Sequence, residues 1–260
     1  MVVTAIAAVA CIDMSAPPGP ASISVLMLPS PSVVVGDTMR DSAGNVAPLS
    51  VQGFNSAGNS IQIQPTFFVT DTFRTASVGR ASGILVGDSL GQAHVVAQIG
   101  TLQTNIATVP VSVAPETLFA QPLSNDTLTA PFSSDTGAAG RNSLRLGTTI
   151  TGAGGTGAIG FIVHYTILSA PPSASSSQPA VFLASASGVP SSADTTDQSG
   201  NGGLNLTIQT VFLTQDPAFL AGQKIDTAIV VARSTYRGKE LAGSPVTFVI
   251  PIKIGSALTP

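Results

Sequence analysis

Tryptophan is absent from this 260-residue chain, cysteine occurs once, histidine and tyrosine twice each, and charged residues make up only 9%. Each scarcity excludes something. A lone cysteine, Cys11, leaves no internal disulfide. With that cysteine and two separated histidines, His94 and His164, zinc has no ligand set. Ten Lys plus Arg against 13 Asp plus Glu give a net charge of −3. No window gathers more than two or three basic residues, so the clustered cations that bind phosphates are missing and nucleic acid is excluded. No apolar run reaches the roughly 20 residues of a membrane-spanning helix. Glu and Lys are scarce, and no long stretch repeats its apolar residues at the helical period.

What is present points to β-structure. Hydrophobic residues reach 43%, so the disorder that accompanies low hydrophobicity and high net charge is not expected. Polar surface must come from Ser, Thr, Asn and Gln. That exchange suits exported β-proteins, whose strand faces favour Thr and whose turns favour Ser, Asn and Gly. The expected fold class is all-β, as two tandem immunoglobulin-like antiparallel β-sandwiches over residues 21–115 and 116–260, preceded by an export segment over 1–20.

Residues Met1 to Ala10 are apolar and small, ending in Ala8-Val9-Ala10 directly before Cys11. Small residues at the last and third-last positions are what signal peptidases accept. The segment resembles a lipobox, with Ala8 where Leu is usual, and the resemblance implies lipid attachment at Cys11. No charged n-region precedes the apolar stretch, so the leader is expected to extend upstream of Met1. The alternative is an incidental cysteine in a discarded leader. Asp13 to Pro20 reads as a Pro-rich tether without a periodic apolar pattern.

From Ala21 the chain breaks into short alternating runs between turn residues. Ile23, Val25 and Met27 alternate, then Val33 and Val35, then Leu49 and Val51. Ile61, Ile63, Phe67 and Val69 read as one strand face, Ala93, Val95, Ala97 and Ile99 as another, and Val109, Val111 and Val113 as the last. Ser42-Ala43-Gly44-Asn45 and Ser56-Ala57-Gly58-Asn59 supply turns. About seven strands at this spacing describe a sandwich. Val35-Gly36-Asp37, Asp41 to Asn45, Pro65 to Asp71, Gly83 to Ala93 with Val95-Val96-Ala97, and the closing Val109 to Val113 together resemble the bacterial Ig-like group 2 domain. The resemblance covers nearly all of the segment. It departs at the core aromatic, where the family often carries Trp and this chain has Phe67 or Phe68.

The second half repeats the style without being a copy of the first. Glu116 to Gly140 is a weakly patterned entry with one expected strand. Leu144 and Leu146 follow, then Ile159, Phe161, Val163, Tyr165 and Ile167 on one face. Leu204, Leu206, Ile208, Thr210 and Phe212 alternate against Asn205, Thr207 and Gln209. Ile229 to Ala232 reads as a central strand buried on both faces, and Val246, Phe248, Ile250, Ile252 and Ile254 close the unit. Asp194 to Asn201, leading into a long alternating strand, resembles the turn of invasin-type (group 1) bacterial Ig-like repeats.

Several motifs imitate active sites. Gly87-Asp88-Ser89-Leu90-Gly91 fits both the nucleophile elbow and the GDSL esterase block, but an elbow needs a helix after the serine, and Gln92 to Ile99 alternates like a strand. The esterase Asp-x-x-His is absent, since Gly91 and Phe161 stand three before the two histidines. Gly152-Ala153-Gly154-Gly155-Thr156-Gly157 fits the dinucleotide fingerprint, yet β-branched residues follow and no acid stands about 20 residues on. Asp194, Asp197 and Asn201 could offer oxygens to calcium, but the spacing departs from an EF-hand. No paired carboxylates suit general acid–base work. The expectation is therefore no enzyme, no cofactor and no metal.

The expected role is a structural or adhesive module whose partner is an extracellular or envelope protein or a glycan, with a membrane met only through lipid at Cys11. The offered binding loop is Thr235 to Glu240, with Tyr236, Arg237, Lys239 and Glu240 clustered; its plainer reading is a solvated hairpin tip. The other reading is a surface carbohydrate-binding module. Its stacking platform must come from the two tyrosines, of which Tyr165 reads as buried and Tyr236 as a loop residue.

Overall fold

The computed structural model describes residues 19–130, 141–175, 177–209, 213 and 226–254. Cys11 and the leader, and the Thr210 and Phe212 end of the alternating run, lie outside them. The described residues contain no α-helix and a single 3-10 turn, Ala153–Gly155. The hydrogen-bonded sheets fall into two groups, one within residues 22–112 and one within 115–254, each around its own core. The fold is two tandem immunoglobulin-like sandwiches.

In the first, the principal sheet runs Val33–Val34, Ala107–Ser112, Gly91–Ile99, Thr66–Val69 in spatial order. Against it lie Ser22–Ile23, Gly53–Phe54 and Ser60–Ile61, and a separate ribbon pairs Ala76–Val78 with Leu85–Gly87. Ala93, Val95 and Ala97 are fully buried from one face of the Gly91–Ile99 strand, with Val109 opposite Ala93 and Ala107 opposite Val95. The period-2 alternation produces this, since every second side chain points to the same face. Phe67, 3% exposed, is the aromatic of this core, whereas Phe68 is half-buried beneath the Arg80 guanidinium, 5.2 Å from its ring centroid.

Three runs differ from the sequence reading. Val25 and Met27 are exposed at 65% and 45%, and Leu26 between them fills the core. Only Ser22–Ile23 is a strand there, so parity set at Ile23 does not carry past it. Val33 and Val34 are both buried while Val35 points outward. Ile61 and Phe67 belong to different sheets, because Pro65, which cannot donate to a ladder, sits where the chain crosses over.

The second sandwich has a four-stranded sheet in the order Pro115–Ala120, Arg141–Gly152, Asn201–Gln209, Val181–Ala184. It faces a five-stranded sheet in the order Leu128–Ala130, Val246–Ile254, Asp226–Arg233, Ile162–Ser169, Ala193–Thr195. Leu146, Ile150, Leu206, Ile208, Val230, Ile250 and Ile252 meet between them with no exposed surface. Asp226–Arg233 is central, as its apolar run foretold. The entry segment holds two strands instead of one, and Ile159 and Phe161 precede the strand that begins at Ile162. Tyr165 is buried, and its hydroxyl shares a 2.7 Å hydrogen bond with Thr148. Burial pushes the phenol up to about 12, against the Thr148 hydrogen bond.

Both sandwiches use the same entry device. The first strand pairs in one sheet, the chain crosses over near prolines, and the next strand runs parallel to the last one: Val33 beside Val111, and Leu128 beside Ile252. All other strand pairings among the described residues are antiparallel.

Replacing Phe67 by Ala should cost about 3–5 kcal/mol of unfolding free energy, and Phe68→Ala clearly less, because only Phe67 leaves a core cavity. Urea unfolding of the two variants measures the difference.

Candidate functional site

The two sandwiches meet almost without a linker. One strand ends at Ser112 and the next begins at Pro115. A Cβ on Gly152 would stand 2.3 Å from the Ala114 carbonyl oxygen, so glycine is what lets the crossing chain lie this close. Around this crossing, polar groups bridge the units. The buried Ser112 hydroxyl accepts the Ile159 N–H at 2.7 Å, and the Ser32 hydroxyl donates to the Gly160 carbonyl at 3.1 Å.

At the centre of the junction stands Asp37, the only charged residue fully buried among the described residues, at 7% exposure. Its Oδ1 accepts the Thr38 N–H at 2.8 Å and Arg40 Nη2 at 3.0 Å. Its Oδ2 accepts Arg40 Nε at 3.0 Å, the Tyr236 hydroxyl at 2.6 Å and Arg237 Nε at 2.9 Å. Two donors thus reach it from 200 residues away in sequence. Burial alone would push this carboxyl up, but the hydrogen bonds from Arg40, Arg237, Tyr236 and Thr38 outweigh it and hold Asp37 well below the usual carboxylate range. The carboxylate in turn works on its partners. Burial and the neighbouring negative charge push the Tyr236 phenol up to about 12, and Asp37 raises both guanidinium groups further.

The hairpin that delivers these donors is short. Thr235–Tyr236 pairs with Lys239–Glu240, and the turn residues Arg237 and Gly238 have φ of 52° and 71°. Two left-handed residues make the primed turn that matches strand twist. Arg237 is the one non-glycine residue with positive φ among those described, a conformation that costs an L-residue about 1 kcal/mol. Its fit against the first sandwich depends on Gly44, where a Cβ would lie 2.3 Å from the Gly238 nitrogen. Tyr236 also packs edge-on against Phe161, with centroids 6.1 Å apart and rings at 86°, while the Arg237 guanidinium lies 5.3 Å from the Tyr236 ring centroid.

The four residues offered as a binding loop therefore divide. Tyr236 and Arg237 hold the junction, although the Arg237 side chain keeps 53% exposure. Glu240 pairs with Arg233, and Lys239 is exposed with no ion pair among the described residues. Tyr236, bonded through its hydroxyl and packed on Phe161, is not free to stack a sugar. No signal in the sequence paired Asp37 with this hairpin. Asp37 lies in Val-Gly-Asp, which reads as an ordinary turn, and the partners are joined only by the fold.

The imitated motifs have local explanations. Ser89 donates to the Arg74 carbonyl at 3.1 Å, and a strand, not a helix, starts at Gly91. Gly154 and Gly155 take positive φ in a turn before another strand. Asp197 Oδ1 accepts the N–H groups of Ser199 and Asn201, Asp194 Oδ2 accepts that of Gly203, and the Asn201 side-chain carbonyl accepts from Gln121 and Thr149. These oxygens shape a hairpin, and among the described residues no three His, Cys, Asp or Glu converge on a metal-sized position. One pair went unseen in the sequence. Asp71 accepts both the backbone N–H and Nδ1 of His94, each at 2.6 Å. Burial would raise this carboxyl, but its two contacts with His94 pull it below its ordinary value.

No family model matches the chain, and no curated protein does. Solved structures similar to it include domains 4 and 5 of the S-layer protein SbsC, at 14% identity and a TM-score of 0.32, covering 91% of this chain and all of that one. The Yersinia pseudotuberculosis adhesin InvE aligns at 13% identity and a TM-score of 0.31, over 90% of this chain and 60% of that one. The Escherichia coli adhesin FdeC aligns at 14% and 0.30, over 90% and 64%. These superpositions are loose, and the fold assignment rests on the strand registers and cores described above.

Asp37→Asn should loosen the two sandwiches from each other while each core persists, because Tyr236 and Arg237 lose the anion that accepts their hydrogen bonds across the junction. Small-angle scattering should then show a broadened distribution of shapes. Gly44→Ala should act in the same direction through steric conflict. The pH dependence follows from the sign of the shift. A carboxyl held below its unfolded value stabilises at all pH above that value and loses the contribution as pH falls through its folded pKa. The wild-type junction should therefore stay closed through the mildly acidic range and loosen only in strong acid, whereas Asp37→Asn, already loosened at neutral pH, should show no such acid dependence.

Proposed function

We propose that this chain is a non-enzymatic, exported module protein of the cell envelope, in which the tandem sandwiches serve a structural or adhesive role. The observation that carries the reading is the junction. A buried carboxylate with five donors, reached from both units, fixes one sandwich against the other and leaves the outer loops and sheet faces free to meet partners. Where an active site would need an activated nucleophile or paired acids, the corresponding side chains are engaged in turns.

In finer terms, the first sandwich is of the bacterial Ig-like group 2 type, on the motifs from Val35 to Val113, and the second is of the invasin-like group 1 type. Cys11 carries lipid that anchors the module to the outer membrane; without that anchor the protein is released outside the cell. The partner is an envelope or extracellular protein, reached through exposed groups such as Lys239 and Glu240. A second reading, carbohydrate binding at the surface, is favoured by a separate groove considered below.

Protease shaving of intact cells, with and without an inhibitor of the lipoprotein signal peptidase, tests the reading. Digestion on intact cells and stalled processing under inhibitor are expected, as is loss of membrane association in Cys11→Ser. Protection from protease with unchanged size under inhibitor would overturn both the exposure and the anchor.

A further inference from the structure

The outer face of the four-stranded sheet in the second sandwich carries a groove unrelated to the junction. Leu183, Leu206 and Ile208 point into the core, so the alternate residues Phe182 and Thr207 point away from it. Phe182 stands opposite Thr207 on the neighbouring strand, and Thr207 opposite Ser143 on the next. Two residues along, Asn205 stands opposite Ala184. The turn at Ser185 to Gly188 rises beside them as a wall, closed by Ser185 N–H and O groups bonding Val189 and Gly188. Together these line an open groove of about 380 Å³, within the range of small-ligand sites.

The chemistry of the lining is selective. It contains no charged side chain, one aromatic ring, and otherwise hydroxyls, amides and small residues. Thr207 is the telling residue. It is only 8% exposed, yet its hydroxyl has no hydrogen-bond partner among the described residues. The little surface it keeps opens onto the groove, where its hydroxyl can meet water or a ligand hydroxyl. Asn205 is close to free as well, since its Nδ2 reaches the Ser185 carbonyl only at 3.5 Å, the outer limit of a hydrogen bond. Asn142, by contrast, is spent internally, donating to the Thr129 carbonyl at 2.6 Å and accepting the Ser143 N–H at 2.8 Å.

An ion finds no countercharge here, and a lipid chain finds too many polar groups. A neutral saccharide matches both halves of the lining. Its axial C–H face suits the Phe182 ring, and its hydroxyls can exchange hydrogen bonds with a hydroxyl and an amide. We propose that this groove binds a neutral sugar unit, stacked on Phe182 and hydrogen-bonded to Thr207 Oγ1 and the Asn205 amide. The proposal concerns binding alone and does not depend on the lipid anchor, so either can fail without the other.

The test is an NMR titration of the isotopically labelled full chain with maltotriose, diacetylchitobiose and a galactose disaccharide. At least one should shift the amides of residues 181–188 and 205–207 and leave the junction unmoved. Thr207→Val keeps the shape and removes the hydroxyl, and should weaken binding about tenfold, as expected for one lost hydrogen bond. Phe182→Leu, which keeps an apolar side chain but removes the ring, should weaken it by a similar factor. Arg145→Ala, an exposed residue opposite Asn205 and outside the groove, should leave binding unchanged. The proposal falls if none of the three sugars moves these amides at tens of millimolar, or if the shifts map elsewhere. It falls equally if Thr207→Val, with an otherwise wild-type spectrum, binds as well as the parent. Loss of binding in Arg145→Ala would also overturn the proposal, because the sugar would then sit across Arg145 and not within the uncharged groove.

Discussion

A carboxylate removed from water is stable only if its lone pairs are filled, and Asp37 is filled from two directions. Thr38 and Arg40 come from its own sandwich and would hold it in place whether or not a second unit followed. Tyr236 and Arg237 come from the other, so the same group that holds Arg40 also fixes how the second unit docks. The surrounding features serve that contact. Gly44 permits the approach of the hairpin, Arg237 adopts a left-handed backbone to aim its guanidinium, and Phe161 supports the Tyr236 ring from behind.

The fold class was legible because it depends on local pattern. Alternation at Ala93, Val95 and Ala97, or at Leu204, Leu206 and Ile208, determines which face turns inward wherever a strand is long enough to hold its parity. Where strands last two residues, that inference fails. Leu26 is buried between exposed Val25 and Met27 because no ladder continues past Ile23 to enforce alternation. Proline marked the crossovers once their positions were known, but not which sheet the chain entered. The junction was illegible for another reason: no local pattern connects residue 37 to residue 236. The hairpin was noticed for its charges, and charge density on a turn does not distinguish a solvated tip from one that another unit covers.

The imitation of catalytic motifs has a common physical origin. A chain rich in glycine, serine, aspartate and asparagine makes its tight turns with the same residues that enzymes use for elbows, phosphate loops and metal cages. What separates the two is the element that follows and what the side-chain oxygens already hold. Ser89 and Asp197 each bond nearby backbone, and strands continue from both turns. Thr207 is the counterexample, since its side chain lines the open groove and its hydroxyl engages nothing in the described chain.

The parallel entry strands bear on how such a chain would respond to tension. In each sandwich a strand near the start lies beside the final strand and points the same way, Val33–Val34 along Val111–Ser112 and Leu128–Ala130 along Ile252–Ile254. Pulling the two ends of a unit apart slides such neighbours lengthwise past each other. Every hydrogen bond in the patch is then strained at once and must break together, whereas a hairpin pulled from its open end parts one bond at a time. The crossover that complicates the strand order thus places each unit's mechanical clamp where its ends are loaded.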